Sequence, residues 1–427
     1  MSKIHQMNRR TFLKGLGLAA GAAAVPGPLL AYAQEGFVLG AVVPLTGQLQ
    51  SFGPRFQTAA QIAVDEVNAA GGIPGLGIVQ LAVRDSGTNA DVGVASASEL
   101  VNTVGVQALF GAAASGVTIP ITSVTIPAGV FQISPSATSP AITNLDDSDL
   151  VFRTAPPDSL QGIVLADAAR NVKGYSNIAI IARNDAYGAG LADSLKVNFE
   201  AIGGTVSNVS LYDPNTTDFS AEIAAASDSG AEAISLITFD EGEALISQMV
   251  AAGVTNFDLF VDGNKNQDLL DRVGEAVGAE ALEGIIGTAP ALATSDLGAA
   301  FDAAYRARLS EDPFVFTPHS FDAIAVTCLA AARAGENSGA AIAANIRSVA
   351  NAGGLDVGIG NLGEGLAAAA AGDDVNYSGV SGAVEFNADG DPFGPVGTWT
   401  IEGGQIVEQT TVECGFNEDG SAFCGSL

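Results

Sequence analysis

Six short stretches hold the polar residues best suited to gripping a small molecule. They are Thr46-Gly47 with Phe52, Ser115-Gly116, Ser134-Pro135-Ser136-Ala137-Thr138, Asn184-Asp185-Ala186-Tyr187-Gly188, Phe239-Asp240-Glu241 and Asp262-Gly263-Asn264. Small hydroxyls and exposed backbone N–H groups suit a carboxylate, and a helix N-terminus adds its dipole. An acid on the opposite side suits an ammonium. Together they suit a zwitterion.

Chemistry that would transform such a ligand is poorly represented. His5 lies in the N-terminal leader, so His319 is the one histidine beyond it. A histidine-based triad or a zinc site needs more partners than that. There is no Gly-x-Ser-x-Gly and no lysine-ended phosphate loop, and the glycine-rich "FGAAASG" matches no dinucleotide fingerprint. Asn387-Ala388-Asp389-Gly390-Asp391 has the wrong spacing for a calcium loop and reads as a β-turn. Only carboxylate acid–base chemistry stays open, because 47 acidic residues always offer pairs. No catalytic residue, metal or cofactor is expected.

The six stretches follow strand-like runs. "FVLGAVV" (37–43) precedes a helical pattern in which Phe56, Ala60, Ala63 and Val67 recur on one face, closed by Gly71-Gly72. "IVQLAVR" (78–84), a helix over 91–103, "VQALFG" (106–111), a helix over 116–125 and "VFQIS" (130–134) continue the alternation. A second set begins after Arg153-Thr154. It runs through "NIAIIAR" (177–183), a helix over 188–201, "GTVSNVSL", a helix over 221–229, "AISLITF" (233–239), a helix over 243–252 and "DLFVDG". Alternating strands and helices with short links predict an α/β fold of two doubly wound parallel-sheet lobes. In such sheets ligands bind at the carboxyl ends of the strands, where the six stretches fall.

Composition bounds the surroundings. With 427 residues and 48% hydrophobic content, the chain can build more than one sizeable core. Asn8-Arg9-Arg10-Thr11-Phe12-Leu13-Lys14, an apolar run from Gly15 to Ala24 and Ala31-Tyr32-Ala33 form a twin-arginine export signal over 1–33. The run is too short and too interrupted for a membrane anchor, so a periplasmic or extracellular protein starting near Gln34 is expected. The leader holds four basic residues and no acid. The remainder therefore carries 13 basic against 47 acidic residues, a net charge of −34. That excludes nucleic acid and anionic membrane surfaces as partners; it suits a saline medium, as it does an ordinary acidic exported protein. Cys414 and Cys424, in a polar C-terminal stretch, are expected to form a disulfide. Cys328 reads as a buried free thiol in an apolar helix.

The stretches "GAVVPLTGQLQSFGPRFQTAAQIAVDEVNAAGGIPG", "ISPSATSP", "VFRTAPPDSLQG", "IAIIARNDAYGAGLADSL", "SFDAIAVTCLAAA" and "YSGVSGAVEFNADGDP" resemble, in order, the type I periplasmic solute-binding proteins of the branched-chain amino-acid class. These serve ABC importers. The resemblance implies two lobes joined by three crossovers, near Arg153-Thr154, Gly287-Thr288 and Gly382–Phe386. It places one lobe at 36–154 and 289–380, the other at 155–288 and 381–410, with a disulfide-bearing tail at 411–427. The lobes would close on the ligand by hinge motion.

By the same resemblance Ser115 binds the ligand carboxylate, and Ser136 and Thr138 bind through hydroxyl and backbone groups. Phe52 and Tyr187 are aromatic walls, and Asp262 meets the ammonium. Thr238 or Phe239 stands where the family has a tyrosine, and Ala114 where it has a cysteine. The implied partners are an amino-acid-like ligand and a membrane permease, with the protein acting as a monomer. A sensor of the same fold, coupled to a signalling partner, is the alternative; a carboxylate hydrolase is a third reading.

Each residue also has a plainer structural role to weigh. Ser115 would be a helix N-cap, Ser136 and Thr138 turn residues, and Phe52 and Tyr187 packing at the cleft edge. Asp185, Asp240 and Asp262 would be solvated loop acids, and Asp322 a structural cap. His319 would lie on the surface or beside the hinge. Trp399, the only tryptophan, lies far from these loops, which disfavours a sugar ligand stacked on an aromatic ring.

Overall fold

The computed structural model describes residues 36–291, 295–351, 353–417 and 419–427; the expected signal over 1–33 lies outside them. The first sheet contains β1 (Gly36–Val43), β2 (Ile78–Asp85), β3 (Ala108–Gly111), β4 (Phe131–Ser134) and β5 (Val151–Arg153), all parallel in the order β2-β1-β3-β4-β5. The second begins with β6 (Asn177–Arg183), β7 (Thr205–Tyr212), β8 (Ala233–Ile237), β9 (Leu259–Phe260) and β10 (Ile286–Pro290). β11 (Leu355–Val357) and β12 (Val375–Tyr377) form a separate parallel pair. The chain then returns to the second sheet with β13 (Val396–Glu402) and β14 (Gln405–Val412), giving the order β14-β13-β10-β9-β8-β6-β7.

The second sheet is therefore mixed, where the alternating pattern predicts a parallel one. β13 pairs antiparallel with both β10 and β14. Only Gly403-Gly404 joins β13 to β14, both with positive φ. A two-residue link of that kind can only reverse the chain.

The strand orders determine where a ligand can sit. In the first sheet the chain goes from β1 to β2 on one side, then crosses to β3 on the other. In the second it goes from β6 to β7, then crosses to β8. Each reversal leaves a crevice at the carboxyl ends of the strands that flank it. The loops after β1 and β3 in one sheet, and after β6 and β8 in the other, are thereby exposed to a ligand.

Apolar burial supports this frame. The helix Gly53–Ala69 starts with Pro54 in its first turn and buries Phe56, Ala59, Ala60, Ala63 and Val67. It packs on the helix Thr317–Ala334, in which every residue from Thr317 to Ala332 is buried. Small side chains let helices approach this closely, which explains the alanine-rich composition. The helix expected over 91–103 is α-helical only over Ala90–Glu99, and a wider turn follows over Leu100–Val104.

Cys414 and Cys424 are bonded, within the hairpin of β15 (Cys414–Phe416) and β16 (Ala422–Cys424). The hairpin lies against the helix Asp158–Asp167 through Leu160 and Val164, and the Leu427 N–H donates to Asp167 Oδ2 at 2.8 Å. Cys328 is a buried free thiol. Among the described residues no helix is long and apolar enough to cross a membrane.

Candidate functional site

One wall of the crevice comes from the loops after β1, β3 and β4. Leu49 and Phe52 lie in the first loop. The Phe52 ring is buried edge-on to Phe56 and Phe314, with centroids 5.7 and 4.6 Å away. Ser115 opens the helix Ser115–Thr125, but Ala114 occupies the N-cap position and makes no side-chain bond there. The Ser115 hydroxyl instead accepts from the Ser139 N–H at 3.1 Å, so it ties two loops together rather than capping its own helix. Ser134 Oγ donates to the Ala112 carbonyl at 2.6 Å and accepts from the Ala137 N–H at 3.0 Å. Ser136 Oγ donates to the Ala113 carbonyl at 3.1 Å. These bonds hold the loops rigidly, as a pre-formed site requires.

The other wall comes from the loops after β6, β8 and β9. Tyr187 and Phe239 stack with ring planes 15° apart and centroids 5.1 Å apart. The Arg183 guanidinium covers the far side of Phe239 at 3.8 Å and is held by Asp185 and Glu241. Asp262 opens a single 3-10 turn, Asp262–Asn264. Its Oδ1 accepts from the Tyr187 hydroxyl at 2.8 Å and from Gln161 Nε2 at 2.9 Å. Burial pushes the Asp262 carboxyl above its ordinary pKa, while those two donors pull it back in part. A Cβ on Gly263 would lie 2.5 Å from the Thr238 carbonyl oxygen and 3.1 Å from both Phe239 and the Tyr187 hydroxyl. Glycine is therefore required beside the acid.

Between these walls lies a narrow space, a cavity of about 20 Å³. Leu49, Phe52, Ala113, Ala114, Ser115, Ser136, Tyr187, Phe239, Asp262, Gly263 and Phe316 line it. Phe52, Ser115, Ser136, Tyr187, Phe239 and Asp262 thus come together as the sequence predicts. Thr138 is buried behind the lining. Thr238 turns away: its Oγ1 accepts from Asn264 Nδ2 at 2.6 Å and supports the turn that carries Asp262. Of the two, Phe239 is the residue that lines the space.

Several other expectations are corrected. His319 is buried against Phe316 rather than on the surface, and burial pulls its pKa down to about 3, leaving the ring neutral. Asp185 is no free loop acid: it accepts from the Gly188 N–H at 3.0 Å and pairs with Arg183 at 2.6 Å. Asp240 pairs with Arg272 at 3.2 Å. Asp322 does not cap its own helix. Fully buried, it accepts from the Tyr377 hydroxyl, the Ser381 hydroxyl and the N–H groups of Val380 and Ser381, all within 2.9 Å, and so anchors the loop that follows β12.

Leu49, Asp158, Gln161 and Phe316 escape the sequence reading. A signal for two of them was present. In "RTAPPDSLQG" an acid and an amide lie three apart at a helix start, on one face, inside an otherwise apolar segment.

The two walls are also fastened at the rim. Gln48 Nε2 donates to the Pro214 carbonyl, and Gln48 Oε1 accepts from Arg183 at 3.1 Å. Asn266 Nδ2 donates to Ser51 Oγ at 3.1 Å, and Arg55 pairs with Asp268 at 2.9 Å.

Two α/β sheets whose strand-end loops face one another across a closed crevice define a hinged solute-binding protein. The sequence profile described as "Periplasmic binding protein" matches residues 37–390, and the chain belongs to that family. The profile of the twin-arginine translocation pathway signal matches residues 6–26, so the chain is exported by that route. The "Leu/Ile/Val-binding protein homolog 3" of Brucella melitensis is 31% identical over 335 residues, 78% of this chain and 88% of that one. The leucine binding protein LivK of Thermotoga maritima superposes with a TM-score of 0.75 at 23% identity, over 88% of this chain and 99% of that one. A solute binding protein of an ABC transporter from R. palustris, in complex with 4-hydroxybenzoate, superposes with a TM-score of 0.72 at 18% identity, over 88% and 97%.

Proposed function

We propose that this protein captures an amino acid with an apolar side chain in the crevice and delivers it to an ABC permease. One arrangement supports this most. A buried acid, Asp262, stands at one side of the space, and the Ser115 and Ser136 hydroxyls with the N-terminus of the helix Ser115–Thr125 stand at the other. Leu49, Phe52, Phe239 and Phe316 form apolar walls beside them. Among the described residues no lysine or arginine lines the space, so a ligand carboxylate would rest on N–H groups and hydroxyls. The cavity between the walls is about 20 Å³, room for about one water, so on this reading the walls part to admit an amino acid.

On this reading Phe52, Ser115, Ser136, Tyr187, Phe239 and Asp262 touch the ligand. Thr138 reaches it from behind the present lining, and Thr238 supports the turn that carries Asp262. The lobes are 36–154 with 289–380, and 155–288 with 381–410.

Thermal-shift screening followed by calorimetry tests the proposal, with the proteinogenic L-amino acids and hydroxybenzoates as ligands. Saturable binding of an apolar amino acid is the expected result. Binding of a hydroxybenzoate and of no amino acid would overturn it, because two buried acids beside the site oppose an anion.

A further inference from the structure

We propose that Asp158 is a second acid of the ammonium subsite, acting through the Thr138 hydroxyl, and that a proton held on the Asp158–Asp262 pair leaves the protein when the ligand ammonium enters. The inference rests on the reading of the crevice as an amino-acid site.

Asp158 lies in the first turn of the helix Asp158–Asp167 and is completely buried. Its N–H donates to the Thr138 carbonyl at 2.8 Å, which fixes the helix start against the loop after β4. One turn on, Gln161 bonds Asp262. The titratable and charged groups facing Asp158 are Asp262, Asp185, Tyr187 and Arg153. Arg153 is already committed: it bonds Asp391 at 2.7 Å, the carbonyls of Ala137 and Ser139, and the Thr143 hydroxyl. Tyr187 donates to Asp262.

Among the described residues neither carboxyl oxygen of Asp158 has a hydrogen bond of standard geometry, nor has the Thr138 hydroxyl, although that hydroxyl lies near enough to favour the charged form. Gln161 Oε1 and Thr288 Oγ1 are also unpartnered. Buried polar groups are nearly always bonded. A cluster of such groups around Asp262 marks a place that a cationic group completes.

Two facing buried carboxyls do not both ionise without a cation. Asp262 has two side-chain donors and is fitted to hold the negative charge. Asp158 lacks them; burial raises its pKa well above the ordinary value, and the proton resides there. A neutral Asp158, by a small adjustment of either side chain, can donate to Thr138 Oγ1, which leaves the threonine hydrogen pointing elsewhere. An ionised Asp158 instead accepts that hydrogen, and the Thr138 lone pairs are free to accept from an ammonium. The ligand enters as R–NH3+, the Asp158 proton passes to solvent, and the charge of the buried subsite is conserved.

Calorimetry of the full chain with L-leucine, in two buffers of different ionisation heat at one pH, reads this directly. Expected is release of about one proton per ligand below the raised titration point. Affinity then rises by up to about tenfold per pH unit and levels off above that point. Asp158→Asn should bind more weakly, with heats independent of buffer and no pH slope, a loss that a purely structural residue would not produce. If that variant misfolds, the two-buffer comparison on the unaltered protein still decides. Equal heats in both buffers, or unchanged proton release in Asp158→Asn, would overturn the proposal alone. A folded protein that binds neither leucine nor any other proteinogenic amino acid would overturn the amino-acid reading, and this inference with it.

Discussion

Asp262→Asn should weaken amino-acid binding while leaving the fold at least as stable. Asparagine keeps the shape and the Oδ1 acceptor, so the Tyr187 hydroxyl at 2.8 Å and the Gln161 amide at 2.9 Å stay bonded. Only the charge is removed, and an N–H2 now faces the ammonium. A hydrogen bond to a charged group is worth about 1.5–3 kcal/mol, and the misplaced donor adds to the loss. About 2–3 kcal/mol corresponds to a Kd about 30- to 150-fold higher. Stability moves the other way. The folded-state pKa of Asp262 is raised above that of an unfolded aspartate, so the folded state prefers the proton. Ionisation therefore costs stability as pH rises through and above the unfolded value of about 3.9. The neutral variant escapes that cost, and its Tm at neutral pH should not fall. Calorimetry gives the first quantity and a melting curve the second. An affinity within about threefold of the unaltered protein, well under 1 kcal/mol, would refute Asp262 as the ammonium partner. A Tm lower by more than about 5 °C would refute the claim that only charge was removed.

Arg153→Ala leaves Asp391 buried without its cation and frees the Ala137 and Ser139 carbonyls. Chemical denaturation should show a loss of about 3–5 kcal/mol. Arg55→Ala removes the Asp268 contact at the rim, together with the Glu311 pair and the packing on Phe314, so Arg55→Gln and Glu311→Gln serve as controls for that second set. Stopped-flow should show a faster off-rate, about two- to fivefold, from a half-exposed pair worth about 0.5–1 kcal/mol, and the effect should shrink in high salt. His319 is buried neutral, with its pKa pulled down to about 3. It therefore contributes stability above its unfolded value of about 6.5, lost as pH falls from there toward 3. His319→Leu should flatten that limb of the acid-unfolding curve.

Most of the lining was legible because strand-end loops carry ligands for a topological reason. The runs before Ser115, Ser136 and Asp262 are short, apolar and β-rich, and each is followed by a helix start or turn. What was not legible is pairing between distant parts of the chain. Gln161 and Asp262 are 101 residues apart, and nothing local to either announces the other. The same holds for Asp158, which reads as an ordinary first-turn acid until the loop after β4 and the turn at Asp262 close around it. Thr238 and Phe239 could not be told apart for a smaller reason. β8 stops at Ile237, and at a strand end a shift of one residue exchanges the side chain facing the ligand for the one facing inward. The surface alternative for His319 failed because a helix start looks exposed in isolation; Phe316 and the Thr154 hydroxyl, which donates to the His319 carbonyl at 2.8 Å, cover it only in the fold.

The loop after β1 serves two tasks that pull in different directions. Leu49 and Phe52 face inward and give the ligand an apolar wall, while Gln48, Ser51 and Arg55 reach outward to Pro214, Asn266 and Asp268 on the opposite side. The outward contacts do not involve the ligand, so they favour closure whether or not a ligand is present. A binding protein needs that bias to be modest. If closure were strongly favoured without ligand, the open form that admits solute would be scarce, and if it were disfavoured, apparent affinity would fall by the fraction of competent molecules. Rim contacts that are polar and partly exposed supply tenths of a kcal/mol to about 1 kcal/mol each. The buried acid pair and the aromatic wall supply energy only when a ligand completes them. Placing the weak contacts at the rim and the demanding ones in the interior makes closure depend on the solute.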